Sequence, residues 1–238
     1  MPWSFLFCAA LWAQILPPIV THRPTQGINT SLIEKNALQI ELGHHPLLLS
    51  GKSKVYESVL QVRKGLDPRL EIFGTSVFRT PDGKFSSLSF SVKVPIYHRA
   101  FLQVASSGWF FLPISPTGGG GQLWLLVDKP VFGRGILTLN GVVGYFPAGG
   151  QVFFTAFYTH MLTPRWAAWV EGFTYLPAAP GEKNARHGLG VGTQLLLGKR
   201  RYTAIDAAWN SSWTLPQGDA LPQLLFGISQ KIQTTRRL

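Results

Sequence analysis

The sequence predicts an all-β fold, a transmembrane up-and-down antiparallel β-barrel of about 12 strands that spans residues 36–232. Three observations predict it. From residue 36 onward, segments of roughly ten residues alternate between apolar side chains and polar or small ones, which is the period of a β-strand. Turn-forming residues separate these segments, and short connections alternate with long ones. The chain is also 45% hydrophobic and only 14% charged, whereas soluble proteins carry about 25% charged residues.

The alternation is clearest near the start of the predicted barrel. In segment 36–44, Leu38 and Ile40 lie on one face and Glu41 lies on the other, and three later segments repeat this pattern. An apolar outer face and a polar or small inner face are typical of a membrane barrel. In order, the predicted strands are residues 36–44, 54–64, 69–79, 85–96, 99–110, 121–129, 134–146, 151–162, 165–176, 186–198, 201–212 and 222–232.

The connections between the strands predict which end of the barrel faces which compartment. Short connections occur at residues 65–68 and 198–200, and longer ones at 113–121, 176–185 and 214–221. Bacterial barrels have short turns in the periplasm and longer loops outside the cell. An even number of strands then places both termini in the periplasm.

A soluble, lipocalin-like barrel is the main alternative, and it would reverse the two faces of every strand. Alternation alone does not say which face lies inside. The interior of a small soluble barrel would not hold four carboxylates, and Glu41, Glu71, Glu171 and Asp206 all lie on the polar face. Together with the strand number, this favours the membrane barrel.

The N-terminal residues differ from the rest of the chain. An apolar stretch from Trp3 to Trp12 predicts a secretory signal peptide cleaved after Ala13, with a buried strand or helix as the alternative. The single cysteine, Cys8, lies inside this stretch, so the mature chain would have no disulfide and no thiol nucleophile. The predicted organisation is a signal peptide (1–13), a periplasmic N-terminal lead that can plug the lumen (14–35), the barrel (36–232) and a basic C-terminal tail (233–238).

The net charge of +11, from 22 Lys and Arg against 11 Asp and Glu, raises the question of nucleic-acid binding. Most basic residues are scattered singly and lie near predicted strand ends, so no nucleic-acid partner is expected. Anionic lipid head groups explain the scattered cations at least as well. The expected partners are outer-membrane lipids and lipopolysaccharide, the barrel-assembly machinery and a small-molecule solute.

Short motifs along the chain are similar to those of one protein family. Near the N-terminus these are Thr21-His22-Arg23-Pro24 and then Leu38-Gln39-Ile40-Glu41-Leu42-Gly43. They are followed by Arg63-Lys64-Gly65-Leu66 and Arg69-Leu70-Glu71-Ile72, the pattern of a hairpin that leads into a strand.

The closing motifs are Val170-Glu171-Gly172-Phe173, His187-Gly188-Leu189-Gly190, Ala204-Ile205-Asp206 and Leu225-Phe226-Gly227-Ile228-Ser229. In order and spacing, the whole set resembles the family of bacterial outer-membrane transporters of the MetA pathway of phenol degradation. The resemblance covers nearly the whole predicted mature chain. It implies a Gram-negative outer-membrane channel or transporter for small apolar or aromatic solutes.

Polar residues on the inward face are the candidate site residues. One interpretation is an ion-paired interior that only supports the barrel, and the other is a solute path whose charges set selectivity. Alternation and the family resemblance select Glu171 and Asp206 independently. The predicted lumen-lining residues are Glu41, Glu57, Arg63, Arg69, Glu71, Lys93, Glu171, Arg186, Asp206 and Asn210.

No catalytic residue, cofactor or metal site is predicted, because none of the six histidines has the spacing of a metal site or of a catalytic pair. A structural barrel without transport and an outer-membrane lipid-modifying enzyme remain the alternative functions. Aromatic residues near strand ends predict girdles at the two membrane interfaces rather than a stacking platform. These residues are Trp109, Phe110, Phe111, Trp124, Trp166, Trp169, Trp209 and Trp213.

Overall fold

A computed structural model describes residues 27–48, 54–80, 84–112, 119–131, 133–147, 149–178, 185–198, 202–214 and 221–233. In these ranges twelve antiparallel strands form one closed barrel, which confirms the predicted fold class and strand number. The strands are β1 (Ala37–Leu48), β2 (Lys54–Asp67), β3 (Leu70–Thr80), β4 (Lys84–Arg99), β5 (Leu102–Phe111), β6 (Gly120–Val131), β7 (Gly135–Phe146), β8 (Gly149–Thr163), β9 (Trp166–Ala178), β10 (Arg186–Leu197), β11 (Thr203–Thr214) and β12 (Leu221–Gln233).

Each strand pairs with its neighbours in sequence, and β1 pairs with β12 to close the sheet. Closure removes the unpaired edges that an open sheet would expose. The ladder between β4 and β5 shifts register between Pro95 and Tyr97. Proline has no N–H to donate to a ladder, and such residues are found at bulges or on edge strands. The bulge therefore accommodates Pro95 in a barrel that has no edge.

The two faces of the barrel have opposite chemistry. Apolar side chains such as Leu42 (51% exposed) and Phe90 (52% exposed) point outward, while Glu41 and Lys93, on the same two strands, are fully buried inside. A water-soluble barrel would have the reverse arrangement. The exposed apolar surface and the charged interior are those of a barrel surrounded by lipid. Among the described residues, no helix is long and apolar enough to cross a membrane.

The predicted strand boundaries differ from the observed ones mainly at turns. The predicted strand 99–110 begins at Leu102, because Ala100 and Phe101 form the turn after β4. The predicted signal peptide lies outside the described residues, as do most of the tail and residues 14–26 of the lead.

Candidate functional site in the barrel lumen

Four charged residues on adjacent strands form a cluster inside the barrel, called the ion cluster here. Arg63 donates from Nε to Glu71 Oε1 (2.7 Å) and from Nη1 to Glu41 Oε1 (3.1 Å). A further bond joins Arg63 Nη2 to Glu71 Oε2 (3.2 Å), so this guanidinium binds Glu71 through two parallel hydrogen bonds. Lys93 Nζ lies 3.8 Å from Glu71 Oε2. All four side chains are fully buried, so their opposite charges are matched within the lumen.

The strand register explains why the ion cluster forms. Glu71 lies directly opposite Lys93 on β4, and Glu41 lies opposite Gln61, two residues from Arg63 on β2. Side chains two residues apart share a face, so the inward positions of β1 to β4 meet inside the barrel.

The described part of the predicted lead, residues 27–36, lies against the inner wall and is called the lead below. Its first two residues contact β9 and β7. Gly27 N donates to Glu171 Oε1 (2.9 Å), which also accepts a bond from Thr155 Oγ1 (3.0 Å). Ile28 exchanges two hydrogen bonds with the Asn140 side chain, each 2.8 Å long. A lumenal carboxylate and an amide thus anchor the beginning of the lead.

The middle of the lead contacts β6. Thr30 donates to Asp128 Oδ2 from both its backbone nitrogen (2.9 Å) and its hydroxyl (2.7 Å). The other oxygen, Asp128 Oδ1, accepts a bond from Thr138 Oγ1 (2.6 Å). Asp128 therefore uses both carboxylate oxygens, one toward the lead and one toward the barrel wall.

The following residues of the lead contact the ion cluster. Lys93 Nζ donates to Ser31 O (2.6 Å) and Asn29 O (3.3 Å). Ile33 N donates to Glu71 Oε2 (2.8 Å). The ion cluster thus holds backbone groups of the lead in addition to neutralising its own charges.

The end of the lead passes close to β2 and β12. Glu34 forms an ion pair with Lys231 Nζ (2.8 Å), and Asn36 N donates to Gly65 O (3.0 Å). A side chain at Gly65 would collide with the carbonyl oxygens of Ile33 and Glu34, so glycine is what permits this close approach. The lead thus follows the inner wall from β9 through β7, β6, β4 and β3 to β2.

Eight aromatic side chains form a continuous surface inside the barrel, called the aromatic arc here. Trp109 contacts Phe73 (ring centroids 4.8 Å apart) and Trp124 (5.9 Å). Phe153 continues the arc and stacks on Tyr175 (4.2 Å). These spacings are typical of aromatic pairs. The members of the arc are Phe73, Trp109, Phe111, Trp124, Phe146, Phe153, Phe173 and Tyr175.

The structure contradicts part of the prediction that these aromatic residues form girdles at the membrane interfaces. Trp124 and Trp169 are buried in the lumen, and Trp109 is half-buried there. Phe110 (65% exposed) and Trp166 (46% exposed) face outward, as residues of a girdle do. The prediction fails because nearness to a strand end does not say on which face a side chain lies. Trp109 and Phe110 are adjacent in sequence and point in opposite directions.

Small residues line the inner face of β10, opposite larger side chains on the neighbouring strand. Gly188 faces Phe173 and Gly192 faces Trp169 across the β9–β10 ladder, and each aromatic ring covers the glycine opposite it. Between them, Gly190 leaves room for the side-chain oxygens of Glu171 and Asn210. Among the described residues, the Asn210 amide makes no hydrogen bond.

The structure brings seven of the ten predicted lumen-lining residues into the interior. Four form the ion cluster, and Glu171, Asp206 and Asn210 are buried on β9 and β11. Glu57 is half-buried in β2, toward the end that leads to the connection at residues 49–53.

Two of the predicted residues lie at the rims. Arg69 is exposed in the turn between β2 and β3, because β3 begins only at Leu70 and the Arg69 N–H donates to Asp67 Oδ1 (3.1 Å). Arg186 is exposed as the first residue of β10, where it donates to Ser212 Oγ (2.8 Å).

Asp128 is a buried lumenal residue that the sequence prediction missed. It lies two residues after Leu126, which is also buried, while Leu123 and Leu125 are exposed. The alternation of this segment therefore indicated that Asp128 faces inward. Gly120 and Gly121 made the start of the pattern irregular, and the residue was overlooked.

Solved structures share the architecture. An outer-membrane channel from Pseudomonas putida F1 superposes with a TM-score of 0.68 at 8% identity, covering 88% of this chain and 100% of that one. The NanC porin gives a TM-score of 0.63 at 11% identity, covering 82% and 100%. The KdgM porin gives 0.61 at 8% identity, covering 81% and 98%.

The sequence matches no protein-family profile and no curated protein, so the resemblance of its motifs to the phenol-degradation transporters stays a prediction. The structural likeness, the closed barrel and the apolar outer surface agree with one another. In the part of the chain that the structure describes, twelve strands form an outer-membrane β-barrel with a porin-like fold.

Proposed function

We propose that the protein is a channel through which small apolar or aromatic solutes cross the outer membrane. The observation that carries the proposal is the aromatic arc. Trp109, Phe111, Phe146 and Tyr175 are only half-buried, so their rings present surface to the space inside the barrel. An apolar inner surface lowers the cost of moving an apolar solute out of water.

The position of the arc also supports this function. Trp109 and Phe111 lie in the last three residues of β5, and Tyr175 lies near the end of β9. Both strands lead into long connections, which face the cell exterior in bacterial barrels. A solute entering from outside would therefore meet aromatic rings before it reaches the lead and the ion cluster.

The lead is the constriction in this proposal. It lies along the inner wall beyond the arc and narrows the lumen there, and its anchors include Glu171. Solutes would pass between the lead and the inner wall of β10 to β12, which carries glycine and alanine together with Asp206 and Asn210. Glu171 and Asp206 would then border the narrowest part of the path.

A path for acidic sugars is the second candidate, because the KdgM porin has been solved in complex with oligogalacturonate. Galacturonate units carry carboxylates. The buried charged residues that the structure describes are five carboxylates and three cations, and one of those cations, Lys231, is paired with Glu34. Excess negative charge in the lumen opposes a polyanion, so this candidate is the weaker one.

Flux into liposomes tests the proposal. Liposomes that contain the wild-type protein should take up a small aromatic solute faster than empty liposomes. Trp109→Leu should lower that flux about fivefold, which corresponds to losing roughly 1 kcal/mol of ring contact. Phe110→Leu is the matched control, because the neighbouring side chain faces lipid and its loss should leave the flux unchanged.

The outcomes separate the candidates. Faster uptake of galacturonate oligomers than of aromatic solutes would favour the acidic-sugar path. If wild-type liposomes are no leakier than empty ones to every aromatic, aliphatic and sugar solute tested, the channel function is refuted and the barrel is structural.

A further inference from the structure

Exposed arginines lie in or directly beside four of the turns at one edge of the barrel. Arg69 lies in the turn between β2 and β3, Arg99 at the end of β4, Arg134 between β6 and β7, and Arg165 between β8 and β9. All four side chains are exposed. The three longest connections (residues 112–119, 179–185 and 215–220) lie at the opposite edge, and β1 begins and β12 ends at this one, so this is the periplasmic edge of a bacterial barrel.

Two lysines add to this edge on the outward face of the strands. Lys129 follows the exposed Leu125 by four residues in β6, so both side chains lie on the face that contacts lipid. Lys64 follows the exposed Val62 by two residues in β2. A lysine at the end of a lipid-facing row extends its ammonium group to the head-group level.

Exposed apolar residues lie next to the arginines. Phe101 (65% exposed) is two residues from Arg99, and Trp166 directly follows Arg165. Aromatic side chains with this exposure are enriched at the boundary between the hydrocarbon and the head groups. The arginines therefore lie at the level of lipid phosphates.

Acidic residues are scarcer at this edge than at the opposite one, whose strand ends also carry Lys54, Arg79, Lys84 and Arg186. Asp67 is the one acidic residue in the described parts of these turns, and its Oδ1 accepts a bond from the Arg69 backbone. The sequence of the connections at the opposite edge contains both signs, with acids in the majority: Lys52 and Lys183 against Asp82, Glu182 and Asp219.

We propose that this arginine ring (Arg69, Arg99, Arg134 and Arg165) binds the phosphate groups of anionic phospholipids in the periplasmic leaflet of the outer membrane. A guanidinium binds phosphate through paired hydrogen bonds. The four turns are spaced two strands apart along the rim, from the β2–β3 turn to the β8–β9 turn, and lie beside lipid-facing residues. Lipid contacts a barrel on all sides, whereas a soluble anionic partner would need the cations gathered in one patch.

The test measures lipid selectivity of the full-length protein in vesicles. The protein is reconstituted in phosphatidylcholine, and the association of spin-labelled phosphatidylglycerol is compared with that of spin-labelled phosphatidylcholine. The wild type should prefer phosphatidylglycerol about fivefold at low salt, and high salt should reduce the preference. The variant R69Q/R99Q/R134Q/R165Q should lose it.

Single substitutions provide the matched comparison. R99Q should lower the preference for phosphatidylglycerol, whereas R186Q, which removes an exposed arginine from the opposite edge, should not. R99Q also keeps the test decisive if the quadruple variant does not fold, as judged by heat-dependent migration on a gel.

Three results would overturn the proposal: no preference in the wild type, an equal preference in the wild type and the quadruple variant, or an equal loss in R99Q and R186Q. Loss of binding to purified peptidoglycan by the quadruple variant, with lipid preference unchanged, would also refute it and assign the ring to the cell wall instead.

Discussion

Arg63 is the residue on which the charge balance of the lumen depends. Its guanidinium is fully buried and hydrogen bonds to Glu41 and Glu71 at once. Removing one partner of a buried ion pair costs more stability than replacing the whole pair by apolar residues, because the remaining buried charge is left uncompensated. Here a single substitution would leave the two carboxylates of the ion cluster with Lys93 as the one remaining cation of that cluster.

We therefore expect Arg63→Met to lower the free energy of unfolding by about 3–5 kcal/mol. Methionine keeps most of the side-chain length and removes the charge. Denaturant unfolding in detergent micelles, followed by tryptophan fluorescence, measures the change. Arg186→Met is the control, because this arginine is exposed and should contribute no more than about 0.5 kcal/mol. Equal effects of the two substitutions would contradict the prediction.

The limits of sequence-based prediction are visible at single residues. Alternation correctly separates Glu41 from Leu42 and Lys93 from Val92, because each strand has one face in lipid and one inside. It misplaces Arg69, since a boundary shift of one residue moves a side chain from the lumen to a turn. It also does not show that Arg63 meets Glu71, which depends on the register between strands.

At the scale of elements, the lead is held by polar contacts more than by a secondary structure of its own. It has one isolated bridge, between Lys35 and Gly65, and otherwise bonds to side chains of the barrel wall. Its position could not be predicted, because a short segment without a periodic pattern gives no signal for the surface that it will contact. The sequence indicated only that a lead precedes the barrel and can enter it.

Gly27→Ala should loosen the lead while leaving the barrel folded. A side chain at Gly27 would collide with Asn140, Thr155 and Phe157, and such overpacking costs about 1–3 kcal/mol. Amide hydrogen exchange of the lead, measured by mass spectrometry, should become at least about tenfold faster.

Gly108→Ala is the matched control for this experiment, because the added side chain would meet no atom within 4 Å. Its lead should exchange at the wild-type rate. Unchanged exchange in Gly27→Ala would show that the contacts of Gly27 do not hold the lead in place.

At the scale of the whole molecule, the charge of the chain and the charge of its interior have opposite signs. The net charge is +11, whereas the buried charged residues that the structure describes are mostly carboxylates. Among the residues whose exposure the structure describes, most exposed cations lie at the rim that carries the arginine ring. The composition alone did not predict this separation, because it depends on which residues fall in turns and which face inward.

An open lumen should therefore favour cations over anions. In planar bilayers with a gradient of potassium chloride, the reversal potential should indicate a permeability for potassium that exceeds that for chloride. The variant Glu171→Gln/Asp206→Asn should lower this permeability ratio roughly twofold while keeping the side-chain shapes. Chloride selectivity of the wild type would contradict the prediction.

The contact between Gly27 and Glu171 joins residues 144 positions apart, and the pairing of Ala37 with Gln233 joins the two ends of the sheet. Contacts of this separation make folding slow, since the entropy of long loops is lost before the contacts form. The barrel cannot close until its last strand has been synthesised and delivered. Because the lead bonds to strands throughout the first three quarters of the sheet, it can make all of these contacts only once those strands have curled into the barrel. The packing of the lead inside the barrel thus depends on the assembly of the sheet around it.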